Sequence, residues 1–244
     1  DDKGYVETCV KHYSAFWRKG IPVDVIDSEQ DFTDYKLLIA PMLYMIRPDV
    51  AERIDAFVQS GGNFVATYWS GIVNETDLCF LGGFPGSLRP ILGIWDEEID
   101  ALPSHHTNSA IPVAGNELGI EQTYPLSELC ALIHAETAEV LATYESDFYA
   151  GQPAITVNNY SAGKAYYLAG RMDSDSLYDF YGHLVSNLEL KLAIDTALPL
   201  GVTIQLRSDG ETDTLFMLNF TSEKQQVTLD EWDYHDILSN EPRT

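Results

Sequence analysis

The stretch from Tyr35 to Tyr68 constrains the fold more than any other part of the chain. It opens on Tyr35-Lys36-Leu37-Leu38-Ile39-Ala40-Pro41, a nearly continuous apolar run of the kind found in strands buried on both faces. Arg47-Pro48-Asp49 then begins a helix, with Pro near the first turn, where its missing N–H is not needed. Val50, Ile54, Phe57 and Val58 recur at helical spacing and form one apolar face. Gly61-Gly62 stops the helix, and a second buried strand, Asn63 to Tyr68, follows at once. Apolar strands joined through a helix by short connections predict a parallel or mostly parallel sheet with flanking helices.

The residues on either side extend this pattern. Tyr5 to Lys19 predicts a helix, with Val6, Val10, Tyr13 and Trp17 at three- and four-residue spacing, a basic last turn (Arg18, Lys19) and Gly20 as its stop. Ile21 to Ile26 reads as a strand. Leu88, Ile91, Leu92 and Trp95 suggest a short amphipathic helix over 87–95, and 96–116, with Pro103 and Pro112, reads as irregular. Strands are expected at Leu129–His134, Glu139–Tyr144 and Pro153–Asn158. The last pairs with Lys164–Ala169 across the turn Tyr160-Ser161-Ala162-Gly163. Ser174 to Leu188 is a helix that Asp173 or Ser174 could cap. After Pro199-Leu200-Gly201 the texture becomes short and alternating, with strands expected at Val202–Leu206, Thr214–Phe220, Val227–Leu229 and Tyr234–Leu238. The expected organisation is an α/β domain over 1–200 and a small all-β module, too short to close a sandwich alone, over 201–244.

Charge and cysteine usage narrow the function. Thirty-eight acids against fourteen bases give a net charge of −24, spread without a long acidic block. Such a field repels nucleic acid and anionic membrane surfaces. No run approaches the roughly 18 apolar residues of a membrane span. The N-terminal Asp1-Asp2-Lys3-Gly4 is not a signal peptide. Cys9, Cys79 and Cys130 are odd in number and lack metal-knuckle spacing, the pattern of free thiols in a reducing, cytoplasmic setting.

The stretch TYWSGIVNETDLCFLGG, Thr67 to Gly83, stands where an α/β enzyme keeps its chemistry, just past a strand. Ser70 is the first candidate nucleophile, but an elbow needs Gly two places before and after the serine, and those places hold Tyr68 and Ile72. Cys79 lies between Leu78 and Phe80, company that suits a buried, inert thiol. The neighbours His105 and His106 point opposite ways on an extended chain and suit no single ion. Asp96-Glu97-Glu98 with Asp100 reads as a solvated acidic face. Gly82, Gly83 and Gly86 make no phosphate-binding fingerprint. The aromatics Trp69, Phe80, Phe84 and Trp95 gather in this one stretch. Residues of that kind in loops anchor interfaces, or else pack beneath the loop.

The segments YKLLIAPMLYMIRPDVAERIDAFVQSGGNFVATYWSGIVNETDLCFLGGFPGSLRPILGIWDEEIDAL and AEVLATYESDFYAGQPAITVNNYSAGKAYYLAG resemble the β-galactosidases of glycoside hydrolase family 42, with TYWSGIVNETDLCFLGGFPG the most specific part. The resemblance implies an α/β domain of class I glutamine-amidotransferase-like, flavodoxin-like fold that builds a homotrimer, followed by part of a small β domain. In that family both follow a catalytic (β/α)8 barrel, which this chain lacks. The barrel's two catalytic glutamates, acid/base and nucleophile of a retaining mechanism, therefore correspond to no residue here. The implied partners are other copies of the chain and the barrel of the same enzyme. Galactoside is met only through the parent enzyme, and no cofactor or metal is implied. The chain starts almost at the first helix, where the family carries a strand ahead of it, so it reads as a fragment of a longer enzyme. The resulting expectation is an assembly region without catalytic residues, with Trp69, Phe80, Phe84 and Trp95 as interface candidates. Two alternatives stand beside it. One is a stand-alone amidotransferase-like enzyme acting through Ser70 or Cys79, and the other is a carbohydrate-binding module using Trp69 and Trp95.

Overall fold

The computed structural model describes residues 4–194, 196, 198–229, 233–239 and 241–243, so Asp1 to Lys3 of the N-terminal reading lie outside the described residues. In chain order the elements are α1 (Tyr5–Trp17), β1 (Leu37–Ala40), β2 (Met45–Ile46), α2 (Val50–Gln59), β3 (Asn63–Thr67) and β4 (Val73–Asn74). A 3-10 turn (Gly86–Leu88) leads into α3 (Arg89–Leu92), β5 (Ile94–Ala101), β6 (Thr107–Pro112), β7 (Tyr124–Ala135) and β8 (Glu139–Tyr144). Then come β9 (Pro153–Tyr160), β10 (Gly163–Leu168), β11 (Gly170–Met172), α4 (Ser174–Asn187), β12 (Val202–Ser208), β13 (Asp213–Asn219), β14 (Tyr234–Asp236) and β15 (Glu241–Arg243).

The α/β class expected from the sequence is present as a nine-stranded mixed sheet flanked by helices. Its order is β1-β3-β10-β9-β8-β6-β7-β11, with β5 also paired to β7. The parallel pairs are β1 with β3 and β3 with β10; from β10 outward the pairs are antiparallel. β7 changes partner along its length. Ser127 still faces β6, Leu129 already faces β5, and Glu128 between them has φ 63°. The helix α2 packs on β3 and β10, and α1 packs on α4. Val50, Ile54, Phe57 and Val58 are all buried, as their spacing predicts. Gly62 closes that helix against the sheet, where a Cβ would sit 2.4 Å from the Phe57 ring. The β9–β10 hairpin forms as expected, and Asp173 caps α4 by accepting from Ser176 N–H at 2.8 Å. Near the C-terminus β12 and β13 form a separate two-stranded antiparallel sheet.

Several sequence expectations are corrected. No strand forms over 21–26. Among the described residues β1 is the edge strand, paired with β3, and the 21–26 run stays off its outer edge with Val25 exposed. The helix expected over 87–95 ends at Leu92, because Gly93 turns left-handed (φ 63°) and Ile94 and Trp95 enter β5. The segment 96–116 carries most of β5 and all of β6, each paired with β7. Val227–Leu229 form no strand, whereas Tyr234–Asp236 pair with 241–243.

The largest departure is in α1. Its buried residues are Thr8, His12, Ala15 and Phe16, and the apolar stripe points outward, with Val6 73% and Val10 57% exposed. Beneath α1 lies Tyr181, whose ring packs against Phe16 with centroids 4.6 Å apart and whose buried hydroxyl needs a polar partner that a valine face would not supply. His12 Nδ1 is 2.6 Å from the Tyr181 hydroxyl, and its ring meets that of Tyr181 edge-on. Burial lowers the His12 pKa to about 3, so the imidazole is neutral in the fold.

Candidate assembly surface

The loops that leave β1 and β3 are zipped together at the carboxyl ends of those strands. Met42 N–H donates to Thr67 Oγ1 (2.8 Å) and Leu43 N–H to Ser70 Oγ (3.1 Å). Gly71 N–H donates to Leu43 O (2.8 Å) and Ile72 N–H to Tyr44 O (3.0 Å). The two short strands β2 and β4 continue the contact in parallel. Ser70 is therefore a buried structural acceptor with no access to solvent.

Beyond Ser70 the loop is held by close approaches. Gly71 has φ 66°, and a Cβ there would fall 2.0 Å from Pro85 O, so only glycine fits. Trp69 adopts φ 60° and meets Tyr44 with ring centroids 6.0 Å apart. The Phe80 ring lies over Gly86, and Trp95 lies against Gly83. Trp95 also stacks on His134 at 4.9 Å, and His134 Nε2 is 2.6 Å from Glu97 Oε2. Phe84 O accepts from Asp96 N–H at 2.9 Å. Each of Trp69, Phe80, Phe84 and Trp95 is half-buried. Phe80 and Trp95 both pack on the 83–86 turn, while Trp69 stands apart with Tyr44.

Between these aromatics the chain forms a projecting tip. Asn74 Oδ1 accepts from Thr76 N–H (3.0 Å), Thr76 Oγ1 (2.8 Å) and Leu78 N–H (3.1 Å), and an isolated bridge joins Val73 to Cys79. The Oδ1 of Asn74 in the sequon Asn74-Glu75-Thr76 thus holds the turn. The tip carries Leu78, 66% exposed, and Leu81, fully exposed, with exposed Tyr44 and Met45 of the neighbouring loop. Sequence reading singled out the aromatics and passed over these apolar residues. The signal that exposes them is the pairing of Val73 with Cys79, which a sequence does not display. Cys79 itself is exposed, a correction to the buried thiol expected from its neighbours, because the same bridge holds it in the outer arm of the turn.

One residue ties this surface to the scaffold. Arg171, from β11, is buried. Its Nε donates to the Tyr68 hydroxyl (2.8 Å), its guanidinium pairs with Glu128, and Nη2 lies 3.6 Å from Met42 Sδ. Gly4, at the start of α1, rests on the same group, with Nη1 3.4 Å from where a Cβ would stand. The exits of β1 and β3 and the start of α1 therefore meet at one guanidinium. Below Phe84, Asp96 is also buried, contrary to the solvated acidic face expected for it. A register shift in β5 after Asp96 turns it inward and leaves Glu97 and Glu98 outside. Burial raises the Asp96 pKa to about 7, opposed by its hydrogen bond from the Tyr167 hydroxyl (3.2 Å). No group of three or more His, Cys, Asp or Glu residues with metal-holding geometry occurs among the described residues, and none of their helices is long and apolar enough to cross a membrane.

The geometry is that of an α/β domain whose loops are stitched together at the carboxyl ends of β1 and β3 and present exposed apolar residues. The particular family is given by sequence: residues 1–191 match the family model of the β-galactosidase trimerisation domain and 201–243 that of the β-galactosidase C-terminal domain. The chain belongs to glycoside hydrolase family 42 and is the trimerisation-domain part of such proteins. It is 50% identical over 241 residues to β-galactosidase Pbg of Clostridium perfringens, covering 99% of this chain and 35% of that protein. It is 48% identical to β-galactosidase BglY of Alicyclobacillus acidocaldarius, with 98% and 35% covered. Among solved structures, the β-galactosidase of Rahnella sp. R3 superposes with a TM-score of 0.92 at 55% identity, over 96% of this chain and 34% of that one. The chain spans about a third of the length of the relatives it matches.

Proposed function

We propose that this chain is the assembly region of a longer, cytoplasmic β-galactosidase that hydrolyses terminal β-D-galactosides, and that it holds three copies of that enzyme together. The observation that carries the reading is the exposed tip, with Leu78, Leu81, Tyr44 and Met45 presented on a stitched scaffold, in a chain of this family. Exposed apolar residues gathered on a rigid support mark an interaction surface. Trp69, Phe80, Phe84 and Trp95 frame the tip and fix its shape. Chemistry is left to the barrel of the parent enzyme, so this chain alone is inactive. We divide the chain near residue 200, which falls between the two family matches. The unpaired cysteines support the cytoplasmic placement.

The test is the mass of the chain by sedimentation, beside hydrolysis of a chromogenic galactoside. A trimer without hydrolysis is expected, and a monomer at every concentration would sink the assembly role for this chain. Neither rival reading is favoured by an observation. Ser70 is enclosed, and one ring face of Trp95 is already covered by His134, leaving less of it for a sugar.

A further inference from the structure

We propose that Asp96 is a protonation switch beneath the segment 84–92, and that ionisation of its carboxyl loosens this segment and, through it, the loop that carries the apolar tip. The switch concerns how the tip is held. Only its last consequence, weaker self-association at alkaline pH, rests on the assembly reading above.

Asp96 occupies a place that suits a neutral acid better than a charged one. The residue is 1% exposed. Its Oδ2 accepts from the Tyr167 hydroxyl at 3.2 Å, and its Oδ1 is buried without a hydrogen-bond partner. A carboxylate has room for about four hydrogen bonds, so a single long one leaves a buried charge poorly compensated. The groups that face it carry no charge. They are Tyr167 from β10 and Tyr144 from β8, whose own hydroxyl donates to Ala131 O at 2.9 Å. From β7 its cross-strand partner is Ile133. The charged side chains of the neighbouring segments pair with each other on the surface, Arg89 with Glu136 and His134 with Glu97, and Glu98 is exposed.

The cover over this carboxyl is the segment 84–92. Asn158 Nδ2 donates to Ile91 O at 2.8 Å, and in the β9–β10 ladder Asn158 pairs with Ala165 and Thr156 with Tyr167. Asn158, Thr156 and Tyr167 therefore share the face that α3 covers, and the Tyr167 hydroxyl holds Asp96 in that layer. Thr156 Oγ1 is buried on this face without a partner as well. Asp96 also pins the start of the cover, because its N–H donates to Phe84 O at 2.9 Å. The cover then supports the loop. A Cβ on Gly71 would strike Pro85 O, and one on Gly86 would stand 3.0 Å from Gly71 O. Water reaches a charge on Asp96 only by parting this layer. The rim, where Phe84 and Gly86 are half-buried and Ser87 is exposed, gives way before the fully buried Leu88, Ile91 and Leu92.

The direction with pH follows from the burial. It raises the Asp96 pKa from 3.8 to about 7. Between these values the folded chain keeps a proton that the unfolded chain has released. Stability from this group is therefore greatest below 3.8, falls as pH rises toward 7, and levels off above it. The cover is tight on the acid side and loosened on the alkaline side.

The experiment uses dilute chain, where association is negligible, with carbon-13 in its aspartate carboxyls. A titration from about pH 5 to about pH 9 should show one aspartate with a midpoint near neutrality, missing in Asp96→Asn. Over the same range, amide exchange corrected for its intrinsic pH dependence should show protection at 69–81 and 84–86 falling more than about threefold in the parent and staying level in Asp96→Asn. Between about pH 4 and about pH 7 the unfolding constant of the parent should rise, relative to that of Asp96→Asn, by up to about tenfold per pH unit. Tyr167→Phe removes the one hydrogen bond to the carboxylate and should move the midpoint further up, which keeps the test open if asparagine does not fold in place of Asp96. A midpoint below about pH 5, or one near neutrality with exchange that ignores pH, overturns the switch. Sedimentation reads the last consequence: a trimer that weakens above neutrality in the parent but not in Asp96→Asn is expected, and one indifferent to pH overturns that consequence. A chain that stays monomeric at every pH overturns the assembly reading, while the exchange result still decides the switch.

Discussion

The helices α1 and α2 each carry an apolar stripe at helical spacing, but only α2 turns that stripe inward. The difference lies in what each helix covers. α2 sits on β3 and β10, and its valine, isoleucine and phenylalanine fill that core. α1 sits above Tyr181, where His12 meets its hydroxyl, and its start rests on Arg171, which holds Tyr68. A polar floor selects the polar face of the helix, since a buried hydroxyl without a partner costs more than an exposed valine loses. An outward stripe on a folded domain is then free to meet another molecule.

The sharpest way to break this contrast is to cut the buried stripe. Phe57→Ala removes a ring packed edge-on against Phe32 and seated over Gly62, and should cost about 3–5 kcal/mol in urea unfolding. A loss under about 1 kcal/mol would mean that α2 is not held by its stripe. Next in size is the guanidinium under α1. Arg171→Ala removes the Nε donor to the Tyr68 hydroxyl and releases Glu128, and should cost about 2–4 kcal/mol. It should also raise amide exchange in the first turn of α1 and in residues 69–81, because both are clipped to that one group.

The polar floor has a pH signature. The His12 pKa falls from 6.5 to about 3 on folding, so the unfolded chain binds the proton first as pH drops. The neutral imidazole's contribution is complete above pH 6.5 and is lost as pH falls from 6.5 toward 3, at up to about 1.4 kcal/mol per pH unit. His12→Gln keeps a polar partner for Tyr181 without titrating. Its stability should fall less steeply than that of the parent across this window in paired denaturant titrations, and parallel curves would show that His12 is not enclosed as described.

How much of this was readable beforehand follows from the same physics. β8, α4 with its Asp173 cap, and the β9–β10 hairpin lie where local patterning places them, because each is set by its own alternation or by a turn. Ser70 lacks the flanking glycines of an elbow, and in the fold its hydroxyl accepts from Leu43 N–H, a partner the sequence does not display. What local patterning could not supply was facing. The phase of α1 depends on residues such as Tyr181, far along the chain, and the burial of Asp96 depends on a register shift against β7. The exposed Leu78 and Leu81 emerge only once Val73 pairs with Cys79. Periodicity announces an apolar side, and tertiary partners decide where it points.

The smallest expected effect completes the contrast. Val10→Ser changes the centre of the α1 stripe, which in the isolated fold faces water. Deleting that apolar surface removes no core contact, and serine and valine have about the same helix propensity, so unfolding stability should shift by less than about 0.5 kcal/mol. The same substitution at Ile54, one of the α2 core residues, should cost several times more. A loss of 2 kcal/mol or more at Val10, measured on dilute chain where association is negligible, would place that side chain in the core after all. A near-zero loss leaves a stripe that the fold does not need, which is the condition for its serving a contact with another molecule.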